Sequence, residues 1–351
     1  MILVLFIIGL TLLIVGAEIL LNGTISLSFL LGFSPIIISV IVLISPDLTV
    51  SIQASLQQRY DLIIGNVIGG NIFNILFVIG VCALITPLNV SSRLKRVDIP
   101  LMIGLVLALG WMAITGFIRQ WFGGLLCAGF IVYTLLSIRQ FQPHQIQTDV
   151  TPEQAQSHRL RSTYMYVGSI LLGLLMMILG SRLLVRSTAD LAAWLGVSDL
   201  VIGLTVVAIG TALPQAAASI LATLRGRRDI ALGNAVGSSI LHLLVLPGVP
   251  SLITSGGIPV GADIIRFDIP LLVMIVIGCL PIFFNRTSIN RREGLVLLGM
   301  YVVYMLYLVL EATRHPGLPL FKTITVAFII PGIFAMLWYP LLYGKSRPRV
   351  R

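Results

Sequence analysis

Apolar residues fill the chain in runs of about 20, the length an α-helix needs to cross a bilayer, and short polar stretches part them. The runs cover about residues 1–22, 34–57, 61–86, 98–118, 121–138, 163–185, 198–223, 229–254, 268–285, 293–312 and 319–343. Eleven membrane-spanning helices are expected, because a lone strand cannot satisfy its backbone in lipid. The first run has no basic leader and no small-residue cleavage site close behind it, so it reads as a retained helix, not a signal peptide.

Two of the runs are interrupted in the same way. Pro46-Asp47 and Pro214-Gln215 lie inside apolar segments. Each pair is followed by a glycine–asparagine motif: Gly65-Asn66-Val67-Ile68-Gly69-Gly70-Asn71 in the first case, Gly233-Asn234-Ala235-Val236-Gly237-Ser238-Ser239 in the second. At an offset of 168, residues 46–81 and 214–249 agree at 14 of 36 positions. Prolines and polar side chains at matching places in two hydrophobic segments point to a binding site made by interrupted helices where two repeats meet. Upstream, Gly16 with Gly180, Gly32 with Gly196 and Ser34 with Ser198 are related by 164. Four residues, about one helical turn, are therefore missing from the first copy between Ser34 and Pro46.

Composition agrees with the pattern. At 57% hydrophobic and 10% charged, the chain excludes a soluble multidomain protein and reads as an all-α, multi-pass integral membrane protein. Cys82, Cys127 and Cys279 are scattered through apolar segments without CxxC spacing, which suggests neither disulfides nor a metal cluster. A net charge of +10 raises nucleic acid as a partner, but the basic residues lie in short loops between spans. The positive-inside rule accounts for them, and the lipid bilayer is the expected partner, with no nucleic acid.

The same residues orient the chain. Loops after odd-numbered spans and the tail hold 16 of the 23 lysines and arginines, among them Arg93, Lys95, Arg96, Arg225, Arg227, Arg228, Arg291 and Arg292. That side is expected to be cytoplasmic, with the N-terminus outside and the C-terminus inside. Five spans precede the polar stretch 139–162, so the second half enters the membrane upside down relative to the first. The expected organisation is a first repeat over 1–138, a cytoplasmic linker over 139–162, an inverted repeat over 163–312, and an extra helix with a basic tail over 313–351. The linker reads as a tether, with a regulatory ion site using Asp149 and Glu153 as the alternative.

The paired motifs give the chain a resemblance to the calcium/cation antiporter superfamily, the sodium/calcium exchangers and their bacterial relatives. Gly210 to Gln215 and Gly233 to His242 resemble the family's motifs in the second half, and Gly65 to Asn74 resembles them closely in the first. The resemblance covers roughly residues 1–312. It implies two inverted five-helix repeats plus an extra C-terminal helix, about 11 spans, in an exchanger-like fold. It also implies a secondary cation antiporter in a bacterial cytoplasmic (inner) membrane. Calcium, sodium or protons would be its substrate ions, and no cofactor is expected. By the same resemblance Asp47, Ser45, Asn71, Asn74, Thr211, Gln215, Ser238 and His242 would bind the cation, with Asp47, Asn74 and Gln215 as metal ligands. Pro46, Gly65, Gly69, Pro214, Gly210, Gly233 and Gly237 would shape the helices.

The residues themselves give these roles a physical basis. Proline removes a backbone donor and frees a carbonyl one turn back, so a helix opening there offers oxygen ligands. Glycines let helices approach closely. Acidic groups at lipid depth are costly and default to function. Yet where the family pattern has a glutamate after each proline, this chain has Asp47 and Gln215. Ala212 stands in place of a serine, His242 stands opposite Asn74 in the repeat, and Ser239 replaces an asparagine. One carboxylate offsets little of the desolvation of a divalent ion, whereas Asp47 with neutral His242 suits a monovalent cation or protons.

Each of these residues also has a plainer reading. His242 fits a hydrogen-bonded core histidine, Gln215, Asn71 and Asn74 fit bonds across helices, and Asp61 and Asp229 fit helix caps. Glu18 and Arg182 occupy matching repeat positions, but inverted topology puts them near opposite ends of their spans, so they are not expected to touch. Two functional readings stay open: a transporter working by alternating access, and a degenerate relative with a structural or regulatory role. An enzyme is not expected, because the spans hold no nucleophile–base pair or metal cluster.

Overall fold

A computed structural model describes residues 2–31, 35–139, 159–194, 208–262, 264–284, 288–313 and 315–325. In the first half, α1 (Ile2–Leu31) and α2 (Pro35–Leu56) precede α3 (Tyr60–Ile72). A π-helical turn, Phe73–Val78, continues α3 into α4 (Ile79–Ile85). After β1 (Leu88–Asn89) and a second π-helical turn (Leu94–Asp98) come α5 (Ile99–Ile114), β2 (Phe117–Ile118) and α6 (Gln120–Arg139).

The second half repeats the order. It runs through α7 (Arg159–Trp194), α8 (Ala208–Leu224), α9 (Arg228–Val245), α10 (Gly248–Ile253) and β3 (Ile258–Pro259). A π-helical turn over Ile264–Asp268 leads into α11 (Ile269–Gly278), α12 (Leu280–Phe284), β4 (Ser288–Ile289) and α13 (Arg291–Ala312). α14 (Leu318–Ile324) opens the expected final span, most of which lies outside the described residues.

Eight of these helical segments are long and apolar enough to cross a membrane, and Val40–Leu56 and Ala212–Leu224 are shorter apolar helices. Together they correspond to the first ten expected spans. Tyr60–Ile85 and Arg228–Ile253 are the most buried and stand at the centre, whereas Leu125, Ile131, Tyr164, Leu171, Val302 and Leu306 face outward, as residues facing lipid do.

The inverted relation of the halves is visible in what joins them. β1 pairs antiparallel with β4, Leu88 opposite Ile289, and β2 pairs with β3, Ile118 opposite Ile258. β1 and β3 follow the two equivalent central spans, and β2 and β4 follow the next equivalent pair, so one ribbon is the repeat image of the other. The helices α1 and α7 cross at a glycine seam. A Cβ on Gly16 would lie 2.8 Å from the Gly173 carbonyl oxygen, and one on Gly180 would lie 2.7 Å from that of Gly9. Only glycine permits so close an approach of two backbones. Gly80 likewise meets Gly294, and Gly123 meets Gly248. Leu13, Ala17, Leu20, Leu43, Met177 and Ala218 form a small core beside the seam, apart from the main one.

Glu18 pairs with Arg225, the residue after α8, whose guanidinium also donates to Asn22 at 3.1 Å. Arg182, its counterpart in the repeat, is exposed. Asp61 and Asp229 lie in the first turns of α3 and α9, but neither helix has a side-chain cap. They act on the helix dipole, and the cap expectation is corrected.

Candidate functional site

Four elements bring polar side chains together between the halves. Gln215 Nε2 on α8 donates to Asp47 Oδ2 on α2 at 3.0 Å. The same nitrogen lies 3.1 Å from His242 Nε2 on α9, which is itself 3.2 Å from Asp47 Oδ2. Asn74 Nδ2 donates to Gln215 Oε1 at 3.4 Å. All four residues are buried, none more than 4% exposed. Asp47 and Gln215 stand 168 residues apart, the repeat offset, and Asn74 and His242 are related in the same way. The cluster is therefore two pairs of equivalent positions, with different side chains in each pair.

The local helix geometry differs between the copies. Asn74 sits in the π-helical turn Phe73–Val78, whereas His242 sits in an unbroken α-helix. A π-helical turn inserts an extra residue and re-aims the side chains after it, and such turns recur at functional sites.

The expectation that the prolines open their helices is corrected. α2 runs as a continuous helix through Pro46, and Pro214 lies inside α8. Pro46 cannot donate to the carbonyl of Val42, but Ser45 does so through its hydroxyl at 2.8 Å. The side chain restores the missing bond, so the helix has no reason to unwind. Ser45 is accordingly exposed and committed to its own backbone, away from the cluster. The side chains of Thr211 and Pro46, and the environment of Gly210, lie outside the described residues.

Asn71 and Asn74 are one turn apart. Asn71 Nδ2 donates to the Val67 carbonyl at 2.7 Å. The amide oxygens of both asparagines are buried and have no hydrogen-bond partner among the described residues. Ser51 Oγ and Ser239 Oγ share that condition. Buried oxygens without donors are rare enough to need an explanation, and a bound cation is one. Ser238 is buried one turn before His242, on the same face of α9.

Gly70, which the sequence pattern marks only as part of a motif, has a specific place. A Cβ there would lie 2.6 Å from His242 Nδ1 and 2.8 Å from Cε1. The second repeat has Ser238 at the matching position, so the missing side chain is what admits the imidazole. Gly65 and Gly69 have no described atom within 4 Å of an added Cβ, whereas Gly237, the counterpart of Gly69, would meet Val40 at 3.4 Å. Among the described residues, the glycine face of α3 meets no neighbour at Gly65 and Gly69, where that of α9 meets Val40 at Gly237. Gly233 is buried within α9.

A second buried group is absent from the sequence-based expectations. Asp98, at the end of its π-helical turn, accepts from Tyr133 at 3.2 Å and lies 3.6 Å from Arg93 Nε, while Arg93 also donates to Ser137. These contacts tie the start of α5 to α6. The signal was available, because Asp98-Ile99-Pro100 recurs as Asp268-Ile269-Pro270.

Comparison with known proteins agrees with the fold. The family model described as sodium/calcium exchanger protein matches residues 1–139 and 165–310. CaxA of Alkalimonas amylolytica is 34% identical over 305 residues, covering 85% of this chain and 95% of CaxA. The inner membrane protein YrbG of Escherichia coli is 30% identical over 308 residues, 86% of this chain and 94% of its own. Among solved structures, the sodium-calcium exchanger NCX_Mj soaked with zero Na+ and Ca2+ superposes with a TM-score of 0.71 at 26% identity, covering 87% of this chain and 98% of that one.

Proposed function

Since the chain belongs to the sodium/calcium exchanger family, a family of cation antiporters, we propose that it is itself a secondary antiporter with its ion site at the Asp47–Gln215–His242–Asn74 cluster. The site lies near the bilayer midplane between the two inverted repeats, and alternating access opens it to one side at a time. One observation carries this reading: equivalent positions of the two repeats converge in a buried hydrogen-bonded cluster, Asp47 directly with Gln215, and Asn74 and His242 each with Gln215. The carboxylate of Asp47 and the free amide oxygens of Asn71 and Asn74 are hard oxygen ligands of the kind such cations take. The proposed setting is the inner membrane of a bacterium, with the N-terminus outside and the C-terminus inside, and the two repeats joined through a cytoplasmic linker.

The test is reconstitution of the full chain into vesicles with radioactive calcium, sodium or rubidium inside and opposing cation or proton gradients. Gradient-driven exchange of at least one cation, lost in Asp47→Asn, is expected. If no cation moves, the non-transporting reading takes over.

A further inference from the structure

We propose that Tyr301 on α13 is a positioning residue for the ion site: its ring, packed on Phe73 and Phe77, holds the π-helical turn that aims Asn74 at Gln215. The inference deepens the site reading above and rests on it. Tyr301 belongs to α13, a helix that brings no side chain to the cluster, so it acts through Asn74.

The backbone marks where the wide turn closes. In the first half the N–H of Ile79 donates to the carbonyl of Asn74, five residues back. In the second half the carbonyl of His242 accepts from Leu246, four residues on, at 3.3 Å. One residue of the cluster thus makes the wide bond, and its repeat counterpart makes the ordinary α bond. Pro247, the counterpart of Ile79, has no N–H with which to make the wider one. A π-helical turn carries one residue more than the α turn it replaces. Closing it would rotate Asn74 about 100° relative to α4, one residue's share of a helical turn. The amide would then leave Gln215.

Aromatic rings pack the other side of this turn. Phe73 and Phe77 stack with centroids 4.9 Å apart, and Tyr301 meets them at 5.8 and 5.2 Å with its plane inclined to both. Phe73 and Tyr301 are buried. At these separations aromatic pairs attract beyond the area they bury. Just past the turn, α4 is held against α13: a Cβ on Gly80 would lie 2.9 Å from Leu298 Cγ and 3.1 Å from the Gly294 carbonyl oxygen. The second half has the equivalent close approach, Gly248 against Gly123. There, however, Leu241, Val245 and Phe130 stand where Phe73, Phe77 and Tyr301 stand in the first half. The glycine contact is common to both halves, whereas the three packed rings and the π-helical turn under the site residue occur together in one.

The experiment uses the full-length protein in detergent, with sodium and calcium as the probes. Cation binding is measured by calorimetry. Side-chain amide signals of 15N-labelled asparagine report the place of Asn74, and the Asn74→Ala difference assigns them. Tyr301→Leu should lower affinity for whichever probe the parent binds by about 10–100-fold, the usual cost of removing a group that orients a ligand. The Asn74 amide signals should move as well, because the bond to Gln215 is lost. Tyr301→Phe keeps the ring and should restore both readouts. Phe130→Leu removes the equivalent ring of the other half; it should lower the unfolding temperature yet leave affinity and the Asn74 signals as in the parent. If Tyr301→Leu does not fold, Ile79→Pro removes the donor of the wide bond, as Pro247 does in the second half, and should produce the same two changes. Unmoved Asn74 signals or unchanged affinity in folded Tyr301→Leu or Ile79→Pro, equal changes in Phe130→Leu, or no rescue by Tyr301→Phe overturns the proposal. A parent that binds neither cation would refute the site reading, and the Asn74 signals would still decide the role of Tyr301.

Discussion

Gly70→Ala isolates the fit between the two repeats. The added Cβ would lie 2.6 Å from His242 Nδ1 and 2.8 Å from Cε1, where ordinary contact begins near 3.4 Å. The overlaps are therefore 0.8 and 0.6 Å (3.4 − 2.6 and 3.4 − 2.8). The ring cannot simply back away, because Asp47 and Gln215 hold its far side at 3.2 and 3.1 Å. Overpacking of this kind costs about 1–3 kcal/mol. With His242→Asn already in place the ring is gone, and alanine in a helix is then better than glycine by about 1 kcal/mol. Gly70→Ala should thus destabilise the parent but be neutral or stabilising in His242→Asn, a coupling of about 1–3 kcal/mol or more. Thermal unfolding followed with a thiol-reactive dye is a suitable assay, since Cys82 and Cys279 are buried until the protein opens. Equal losses in the two backgrounds would mean that the imidazole does not rest on Gly70.

Gln215→Glu places a second carboxylate beside Asp47 and should create calcium binding that weakens as pH falls, because protonation of the pair removes the added charge. Calorimetry at two pH values checks it, and undetectable binding at neutral pH would mean that charge is not the limiting defect. Gly173→Val at the α1–α7 seam should cost more stability than Gly70→Ala, since its Cβ meets backbone atoms at 2.7 and 2.8 Å that cannot rotate aside; a smaller loss of midpoint would refute the seam. A reporter fused after Arg351 and one inserted in the 87–97 loop should both read cytoplasmic, and a C-terminus clearly outside would mean that 319–343 does not cross the membrane.

Much of this fold was legible because lipid leaves the chain few choices. Runs of apolar residues must be helices, and ten of the expected spans have described helices in their places. The matching of Gly65 with Gly233 located the two central elements, and that of Pro46 with Pro214 the two helices that bring Asp47 and Gln215 to them. What the sequence hid was local. Proline argues for an opened helix, but the hydroxyl of Ser45 occupies the carbonyl that Pro46 leaves, and whether a serine rotamer reaches back is not written in its spacing. The π-helical turn under Asn74 has no compositional mark, because it arises from packing rather than from propensity. Gly70 and His242 are far apart in sequence, and neither substitution means anything until the fold sets one against the other. Glu18 found Arg225 for a similar reason: being at one end of the membrane mattered more than occupying matching repeat positions.

The ribbons and glycine contacts that join the halves come in twins. One ribbon is repeated by the other, Gly16 on Gly173 by Gly180 on Gly9, and Gly80 on Gly294 by Gly248 on Gly123. Such an interface is self-complementary in the sense of a two-fold homodimer, where each patch meets its own copy. A half-length chain inserted in both senses would already hold everything the scaffold needs. It would not hold this site. Two identical halves would set Asp47 against a second Asp47, with like charges facing each other in a dry interior. Joining the halves into one chain is what frees equivalent positions to differ, so that a carboxylate can face an amide and an imidazole can take the space that a single glycine leaves.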